Sequence, residues 1–343
     1  MKFKKLVLIL SVILGLFIVG CSNENDNTTS QNDENNAENS EGNNDNGVNS
    51  DLSYPEQPIE LMVPANPGGA TDASARIMSE YLKEYLGESI VVINEAGGGG
   101  TIAFEDVRNA EADGYKLLFF HQAMHTGYAT DRFEHSATDL KAIGTFSAVN
   151  QAYVVSADSP WDSLEDFVQD AEANPGEYSF GAQLSGTTHF MAAMLSQEAD
   201  VDFQILDFGT ESERMSALLG NQVDVVVSSV QNAVEYVESG DFKVLAVLTD
   251  ERTDEAPDFL TAKEQGYDIQ FSLQHTLYGP ADLPDEIVKV LNDATEEMAA
   301  DSEYIEALEN LGHVHPLNNS EETTEMVEKE FDYIQELGES LGF

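Results

Sequence analysis

The feature that most restricts the fold of this chain is an alternation of short apolar runs with amphipathic helical patterns between about residues 53 and 343. Apolar runs typical of buried strands cover residues 59–63, 90–93, 117–120, 152–155, 223–227 and 244–247. Helical patterns cover about 72–86, begin at Ser163 and near Thr187, end at Gly220, and recur over 285–299, 303–311 and 321–337. Alternating strands and helices predict an α/β architecture with mainly parallel sheets.

The first twenty residues have the composition of an export signal. Three lysines precede an apolar stretch at 6–19, which is too short for a stable membrane span. The following Ile18-Val19-Gly20-Cys21 resembles the lipobox of bacterial lipoproteins, and this resemblance implies cleavage before Cys21 and attachment of a lipid to its sulfur. An ordinary signal peptide with an incidental cysteine is the alternative. Cys21 is the only cysteine, so its position favours lipidation over redox chemistry.

The segment after Cys21 is rich in Asn, Asp, Glu and Ser, and residues 22–51 contain aliphatic side chains only at Ala37 and Val48. Such a segment buries too little apolar surface to offset its ordering entropy. We therefore expect residues 21–52 to be a lipid-anchored, disordered tether. It would hold the folded part at the outer face of the cytoplasmic membrane.

The chain is strongly acidic. It has 15 Lys and Arg against 64 Asp and Glu, and loss of the three lysines with the signal leaves a formal charge of 12 − 64 = −52. Nucleic acid and anionic lipid are poor partners for such a molecule. The acidic residues are spread along the chain, which indicates a strongly hydrated, halophilic-type surface whose self-repulsion is screened at high salt.

Three glycine-rich turns follow strands and lead into helices. They are Pro67-Gly68-Gly69-Ala70-Thr71-Asp72, the segment 94–106 with its run of four glycines, and the segment 181–189 containing Ser185-Gly186-Thr187. Glycine lets a ligand approach the backbone closely, and a helix N-terminus offers N–H groups and a positive dipole end to an anion. Because ligands of open α/β sheets bind at the carboxyl ends of strands, the three turns predict a shared anion cleft.

Other chemistries lack their sequence patterns. A nucleotide site would need a P-loop or a G-x-G-x-x-G turn, and neither is present. Ser185 and His189 lack the G-x-S-x-G context of a hydrolase. The pair His121 and His125 lacks the glutamate of a zinc helix, and His313 and His315 alternate in a loop or short strand, so no metal and no cofactor is expected.

Together with the three turns, an ordered set of motifs resembles the tripartite tricarboxylate transporter substrate-binding family, also called Bug-type solute receptors. The motifs are Tyr54-Pro55-Glu56-Gln57-Pro58-Ile59, the Pro-Gly-Gly turn with Thr71-Asp72-Ala73-Ser74-Ala75-Arg76, Asp113-Gly114-Tyr115, Gly186-Thr187-Thr188-His189, Gly220 with Val223-Asp224, Leu245-Ala246-Val247, and Gly279-Pro280 before Leu283-Pro284. The resemblance covers nearly all of the chain after Tyr54. It implies a two-lobed periplasmic-binding-protein fold of type II whose hinge is crossed near 150–155 and 270–278.

The implied domains are a first lobe from 53–152 and 274–343 and a second lobe from 153–273. The residues expected to bind ligand are Pro67, Gly68, Gly69, Ala70, Asp72, Gly98, Gly99, Gly100, Thr101, Gln122, Ser185, Gly186, Thr187, His189, Gly209, Thr210 and Ser228. The expected function is capture of a small carboxylate-bearing metabolite, a di- or tricarboxylate or an acidic amino acid, by a monomeric, non-enzymatic receptor that delivers it to a membrane permease.

Two alternatives remain open at this stage: a ligand-sensing receptor for a membrane kinase, and an exported hydrolase that uses Ser185. Asp72 has two possible roles, stabilising the helix dipole or binding a ligand ammonium. The sequence departs from its relatives at Phe208, where glycine is frequent, and at Gln274 and His275, where tryptophan is frequent. These departures leave the identity of the solute undefined.

Overall fold

The computed structural model describes residues 53–343. The signal peptide, Cys21 and the tether fall outside the described residues, so the expectations for them stay predictions. The strands are β1 (Ile59–Val63), β2 (Ile90–Asn94), β3 (Lys116–Phe120), β4 (Leu140–Ser156), β5 (Ser179–Ala182), β6 (Gln204–Asp207), β7 (Val225–Ser229), β8 (Phe242–Val247) and β9 (Ser272–Pro280).

The helices alternate with these strands along most of the chain. They are α1 (Ala70–Leu86), α2 (Thr101–Arg108), α3 (Ala123–Ala129), α4 (Leu164–Ala173), α5 (Thr187–Ala199), α6 (Glu211–Leu219), α7 (Val230–Ser239), α8 (Asp285–Ala299), α9 (Ser302–Glu309) and α10 (Ser320–Leu341). No helix within 53–343 has both the length and the apolar content required to cross a bilayer.

The strands join in the order β2-β1-β3-β9-β4-β7-β5-β6, with β8 also paired to β4. The long strand β4 pairs with β9 up to Asn150 and then with β7 from Gln151 onward, so it belongs to both halves of the sheet system. The outer strands are parallel, as predicted. The pairings of β4 and β9 are antiparallel, because these two strands connect the halves. The expectation of mainly parallel sheets therefore holds for the outer strands alone.

Each half of the sheet has its own apolar core. On α1, Ala75, Met78 and Leu82 are spaced by three and four residues, and this face packs on the first half around Leu61 and Phe119. The second half has a separate core that includes Tyr153, Phe180 and Val227. Burying one such aliphatic or aromatic side chain stabilises the folded state by about 1.5–3 kcal/mol. Each half is therefore stabilised by a core of its own.

Two strand predictions need correction. The run at 90–93 was expected to be a buried strand, but β2 is the edge of the sheet and Val91 is 47% exposed. The run at 152–155 is only the last part of a 17-residue strand. The patterns did not predict β5, β6 or β9, which are short or rich in polar residues.

The topology brings four helix N-termini to one region. Strand β1 leads into α1, and strands β5, β6 and β7 lead into α5, α6 and α7. Because β5 is parallel to both β6 and β7, the starts of their three helices lie at the same edge of the sheet. The start of α1 and these three starts border the cleft described next.

Candidate functional site

A cavity of about 650 Å³ opens between the two halves of the sheet. Its first wall is formed by Gly68, Gly69 and Ala70, at the start of α1. Its second wall is formed by residues 209–211 and Arg214, at the start of α6. Thr187 at the start of α5 also lines it, and Val149, Gln151 and Leu273 of the connecting strands contribute to it.

The first wall presents backbone and almost no side chain. Gly68 has φ +86, a left-handed conformation that glycine adopts without strain. Gly69 is the N-cap of α1 and provides no side-chain cap. No described group accepts a hydrogen bond from the backbone N–H of Ala70 or Thr71. This helix end is therefore open to an anionic ligand.

The carboxylate of Asp72 is engaged behind the first wall. Its oxygens accept hydrogen bonds from the Gly68 N–H at 2.8 Å, the Asn94 amide at 2.9 Å and the Arg76 guanidinium at 3.0 Å. Burial by itself raises the pKa of Asp72, but the hydrogen bonds outweigh burial and hold the pKa at about 2. Asp72 does not line the cleft, so its observed contacts are those of a residue that shapes the turn.

The second wall has the opposite construction, because the start of α6 is closed by its own side chains. Thr210 and Glu213 form a capping box: the Glu213 N–H donates to Thr210 Oγ1 at 3.3 Å, and the Thr210 N–H donates to Glu213 Oε2 at 2.7 Å. An anion therefore finds fewer backbone donors here, and the side chains of Arg214 and Glu211 determine the character of this wall.

Arg214 is a buried cation that forms no ion pair within the described part of the chain. It is 6% exposed, and it donates from Nε to the Val227 carbonyl at 3.2 Å and from Nη1 to the Gly209 carbonyl at 3.0 Å. Burial lowers the pKa of the guanidinium, whereas the negative charges of Glu211 and Glu213 raise it. An arginine remains charged at neutral pH after such a shift.

The absence of an ion pair at Arg214 is unusual in so acidic a molecule. Twelve Lys and Arg residues lie within 53–343, and ten of them form an ion pair with a carboxylate. The exceptions are Arg214 and Arg132. Arg132 donates from Nη2 to the Ser185 carbonyl at 2.7 Å, in the turn that leads into α5. Both exceptions therefore lie at the cleft or beside it.

Glu211 caps the neighbouring helix α7. Its Oε1 accepts hydrogen bonds from Ser228 Oγ and the Ser229 N–H, both at 2.7 Å, and from Ser229 Oγ at 3.1 Å. This carboxylate occupies the positive end of α7, which an anionic ligand would otherwise favour. No described group donates to Oε2, the other oxygen of Glu211.

Neutral histidines form part of the cleft lining. His121 and His313 border the cavity, and burial lowers the pKa of each to about 4. His313 Nδ1 is 2.7 Å from Ser74 Oγ, and the buried His275 is held by Ser147 and Thr71. At neutral pH these rings therefore add hydrogen-bonding groups without adding charge. Residues 53–343 contain no cluster of three or more His, Cys, Asp or Glu arranged to hold a metal ion.

Six residues of the predicted set line this cleft: Gly68, Gly69, Ala70, Thr187, Gly209 and Thr210. Pro67 precedes the first wall. Gly186 is the uncapped N-cap of α5, and Ser228 is buried behind Glu211. The backbone N–H of Ser185 donates a hydrogen bond to Nδ1 of His189 at 3.1 Å. The Ser185 hydroxyl forms no hydrogen bond with His189 or with any other described group.

The second glycine turn lies away from the cleft lining. Gly98 and Gly99 belong to a short 3-10 turn, and Gly100 packs against Pro64 and Phe120. Thr101 lines a separate pocket that also contains Arg132.

Three further candidates from the sequence also lie elsewhere. The Gln122 amide donates to the Glu330 carboxylate and to the Ser272 carbonyl, each at 2.9 Å, and it lines a smaller pocket together with Gln274. Phe208 packs beside the apolar cluster of the second half, under Gly181.

With this geometry established, known proteins provide a comparison. A family model described as "Tripartite tricarboxylate transporter family receptor" matches residues 74–342. The chain belongs to this family. Receptors of this family bind solutes outside the cytoplasm and are not enzymes. The family resemblance of the sequence motifs is confirmed, and so is the predicted periplasmic-binding-protein fold.

Individual relatives agree with this assignment. The UPF0065 protein in the tcbD-tcbE intergenic region of Pseudomonas sp. (strain P51) is 30% identical over 271 residues, which is 76% of this chain and 79% of that protein. Protein BugT of Bordetella pertussis is 26% identical over 261 residues, or 74% and 80% of the two chains. A TctC solute binding protein from Polaromonas, solved with no ligand, superposes with a TM-score of 0.75 at 26% identity, covering 83% of this chain and 99% of that one. The periplasmic binding protein BugD gives 0.69 at 27% identity, with 84% and 99% covered.

Two charged residues of the cleft, Arg214 and Glu211, were not predicted from the sequence. Arg214 and Glu211 lie in a helical stretch that also contains Glu213, so they resembled ordinary surface charges. One signal was available: Lys141 and Arg214 are the only Lys or Arg residues between 133 and 242. A lone cation after a strand-to-helix turn of an acidic receptor is a reasonable candidate for ligand contact.

Proposed function

We propose that this receptor captures a small carboxylate-bearing metabolite in the cleft and delivers it to a membrane permease of the tripartite tricarboxylate type. One observation carries the proposal: the open N-terminus of α1 and the unpaired guanidinium of Arg214 border the same cavity. A small organic anion can satisfy both. Charge-assisted hydrogen bonds contribute about 1.5–3 kcal/mol each, enough in combination to offset the repulsion from a negative surface.

Similar folds are known with carboxylates bound. The malate complex of MatC and the adipate complex of Rpa4515, both from Rhodopseudomonas palustris, superpose at TM-scores of 0.69 and 0.71. At 23% identity these neighbours establish a shared fold. The ligand class proposed for this chain rests on its own cleft.

The capture step is tested by a thermal-shift screen of organic acids, acidic amino acids and neutral sugars at high salt, followed by calorimetry. A ligand at 100 times its dissociation constant should add about 2.7 kcal/mol of apparent stability. We expect the stabilising compounds to be carboxylates. Stabilisation by neutral sugars or cations alone would contradict the proposal.

Delivery to a permease has a separate test. Native cells that lack this chain should lose uptake of the carboxylate found in the screen, and the wild-type gene should restore it. Unchanged uptake, combined with normal binding in vitro, would favour a sensory role for the receptor.

The proposed anchor is the lipid on Cys21. It rests on the apolar run at 6–19 and the Ile18-Val19-Gly20-Cys21 sequence. We expect the wild-type chain in the membrane fraction and Cys21→Ala either unprocessed or released. A wild-type chain that is fully soluble in the native host would contradict anchoring and leave the binding proposal intact.

A further inference from the structure

The second wall carries charge of both signs on one helical turn. Glu211 and Arg214 are three residues apart on α6, a spacing that places their Cβ atoms about 5–6 Å from each other. Both side chains line the cavity. They form no ion pair with each other: Arg214 donates to the carbonyls of Gly209 and Val227, whereas Glu211 accepts hydrogen bonds from Ser228 and Ser229.

Arg214 forms no direct ion pair with a described residue, although the charges of Glu211 and Glu213 partly offset the effect of burial on its pKa. A guanidinium carries five N–H donors, and the carbonyls of Val227 and Gly209 use two of them. No described group accepts a hydrogen bond from Nη2. A buried guanidinium without a directly hydrogen-bonded carboxylate is incompletely compensated, so an incoming carboxylate gains from contact here.

Glu211 restricts which carboxylate can approach. Its Oε1 is fixed by the two serines at the start of α7. Glu211 lines the same cavity as Arg214, and no described group donates a hydrogen bond to its Oε2, which remains as an acceptor. A second anion close to this oxygen would be repelled, whereas a hydroxyl or ammonium group would donate a hydrogen bond to Oε2.

We propose that Arg214 and Glu211 form a selectivity pair, in which Arg214 binds one ligand carboxylate and Glu211 accepts a hydrogen bond from an amino or hydroxyl group on the adjacent carbon. The ligand class is then an acidic amino acid or hydroxy acid in preference to an unsubstituted dicarboxylate. This inference rests on the proposed function of the cleft. It gives Glu211 the ammonium-binding role that the sequence had suggested for Asp72.

The test is calorimetry on the purified full chain at one fixed salt concentration, with succinate, malate and aspartate as matched four-carbon probes. The wild type should bind malate or aspartate at least about tenfold more tightly than succinate, since only malate and aspartate can donate a hydrogen bond to the charged Glu211. Glu211→Gln should reduce this preference to within about threefold, because an amide NH2 in place of Oε2 cannot accept a hydrogen bond from the ligand hydroxyl or ammonium group. Glutamine keeps an oxygen that can accept the hydrogen bonds from the serines of α7.

Arg214→Gln should weaken binding of all three probes by about thirtyfold or more, which is the loss expected for one desolvated charge pair. The matched control is Glu235→Gln, an exposed carboxylate on α7 outside the cavity lining. It should leave both the affinities and the preference unchanged. The melting temperature of each unliganded variant reports whether its fold is intact.

The outcomes separate the two proposals. If the wild type binds none of the probes and no other carboxylate, the function proposed for the cleft fails. If the wild type binds and folded Arg214→Gln binds equally well, the selectivity pair alone is wrong. Retained preference in Glu211→Gln would remove Glu211 from the pair.

Should Arg214→Gln fail to fold, Arg214→Lys decides, because it keeps the charge without the fork of donors. Unchanged affinity in that variant would overturn the role of Arg214.

Discussion

The two walls of the cleft differ in the kind of group that they offer to a ligand. At the first wall the polar side chains of Asp72, Asn94 and Arg76 bond one another, and the uncapped backbone of α1 faces the cavity. At the second wall α6 is capped by its own residues, and Arg214 and Glu211 face the cavity. Backbone donors provide general affinity for anions, whereas charged side chains discriminate between them. We therefore propose that the first wall captures the ligand and the second wall selects it.

Substitution at the first wall should have the largest effect on binding. In Gly69→Val the new Cβ would meet only the Asn66 carbonyl oxygen at 3.6 Å, an ordinary contact, so the fold should persist with a loss of about 1 kcal/mol at this N-cap position. The side chain would cover the open end of α1. We expect affinity for every carboxylate to fall by about a hundredfold or more, as measured by calorimetry. Gly69→Ala should give an intermediate loss, and wild-type affinity in Gly69→Val would refute capture by this backbone.

Asp72→Asn should change stability more than selectivity. It replaces a carboxylate that accepts hydrogen bonds from Gly68, Asn94 and Arg76, so we expect a loss of about 2 kcal/mol at pH 7. All probes should weaken by a similar factor because the whole turn is disturbed, whereas Glu211→Gln should act on the preference between probes. Loss of aspartate binding alone in Asp72→Asn would return the ammonium-binding role to this residue.

The pH dependence of stability gives an independent check on Asp72. Its folded pKa of about 2 lies below the ordinary value of 3.8. The folded state therefore favours the charged form, and this contribution is complete above pH 3.8 and is lost as the pH falls toward 2. Urea unfolding between pH 5 and pH 2 should show a smaller loss of stability in Asp72→Asn than in the wild type. Identical pH profiles would show that the carboxylate is not stabilised as its contacts indicate.

Arg132 tests whether the two halves of the molecule act together. Its guanidinium follows α3 in the first half and donates to the Ser185 carbonyl, ahead of α5 in the second. We expect Arg132→Gln to weaken binding by about three- to tenfold, mainly through faster dissociation, because this contact steadies the turn beside the cleft. Arg108→Gln is the matched control, since Arg108 pairs with Glu105 on α2. Equal dissociation rates in all three proteins would exclude a role for the contact.

The sequence predicted β1, β3, β7, β8, most helices and the position of the Pro67-Gly68-Gly69 turn, for a physical reason. Strands such as β1 are continuous apolar runs, and the Pro67-Gly68-Gly69 turn has few alternative conformations. Strand β9 and the first part of β4 were missed because their polar residues satisfy one another only after folding: Thr145 pairs with Thr276, and Ser147 with His275, across β4 and β9. The second wall could not be predicted for a similar reason. Whether Arg214 forms an ion pair depends on where the fold places the carboxylates.

Ser185→Ala should have the smallest effect, although this residue was a prime candidate in the sequence. Ser185 has φ +60, and its hydroxyl forms no hydrogen bond with any described group. The contacts of Ser185 are made by its backbone: the N–H donates to His189, and the carbonyl accepts from Arg132. Alanine keeps both, so we expect affinity within about twofold of the wild type and a stability loss below about 0.5 kcal/mol, as is usual for a substitution that removes no contact. A loss comparable to that of Gly69→Val would mean that the hydroxyl reaches the ligand. The second wall would then extend to the start of α5, and selection would no longer belong to α6 alone.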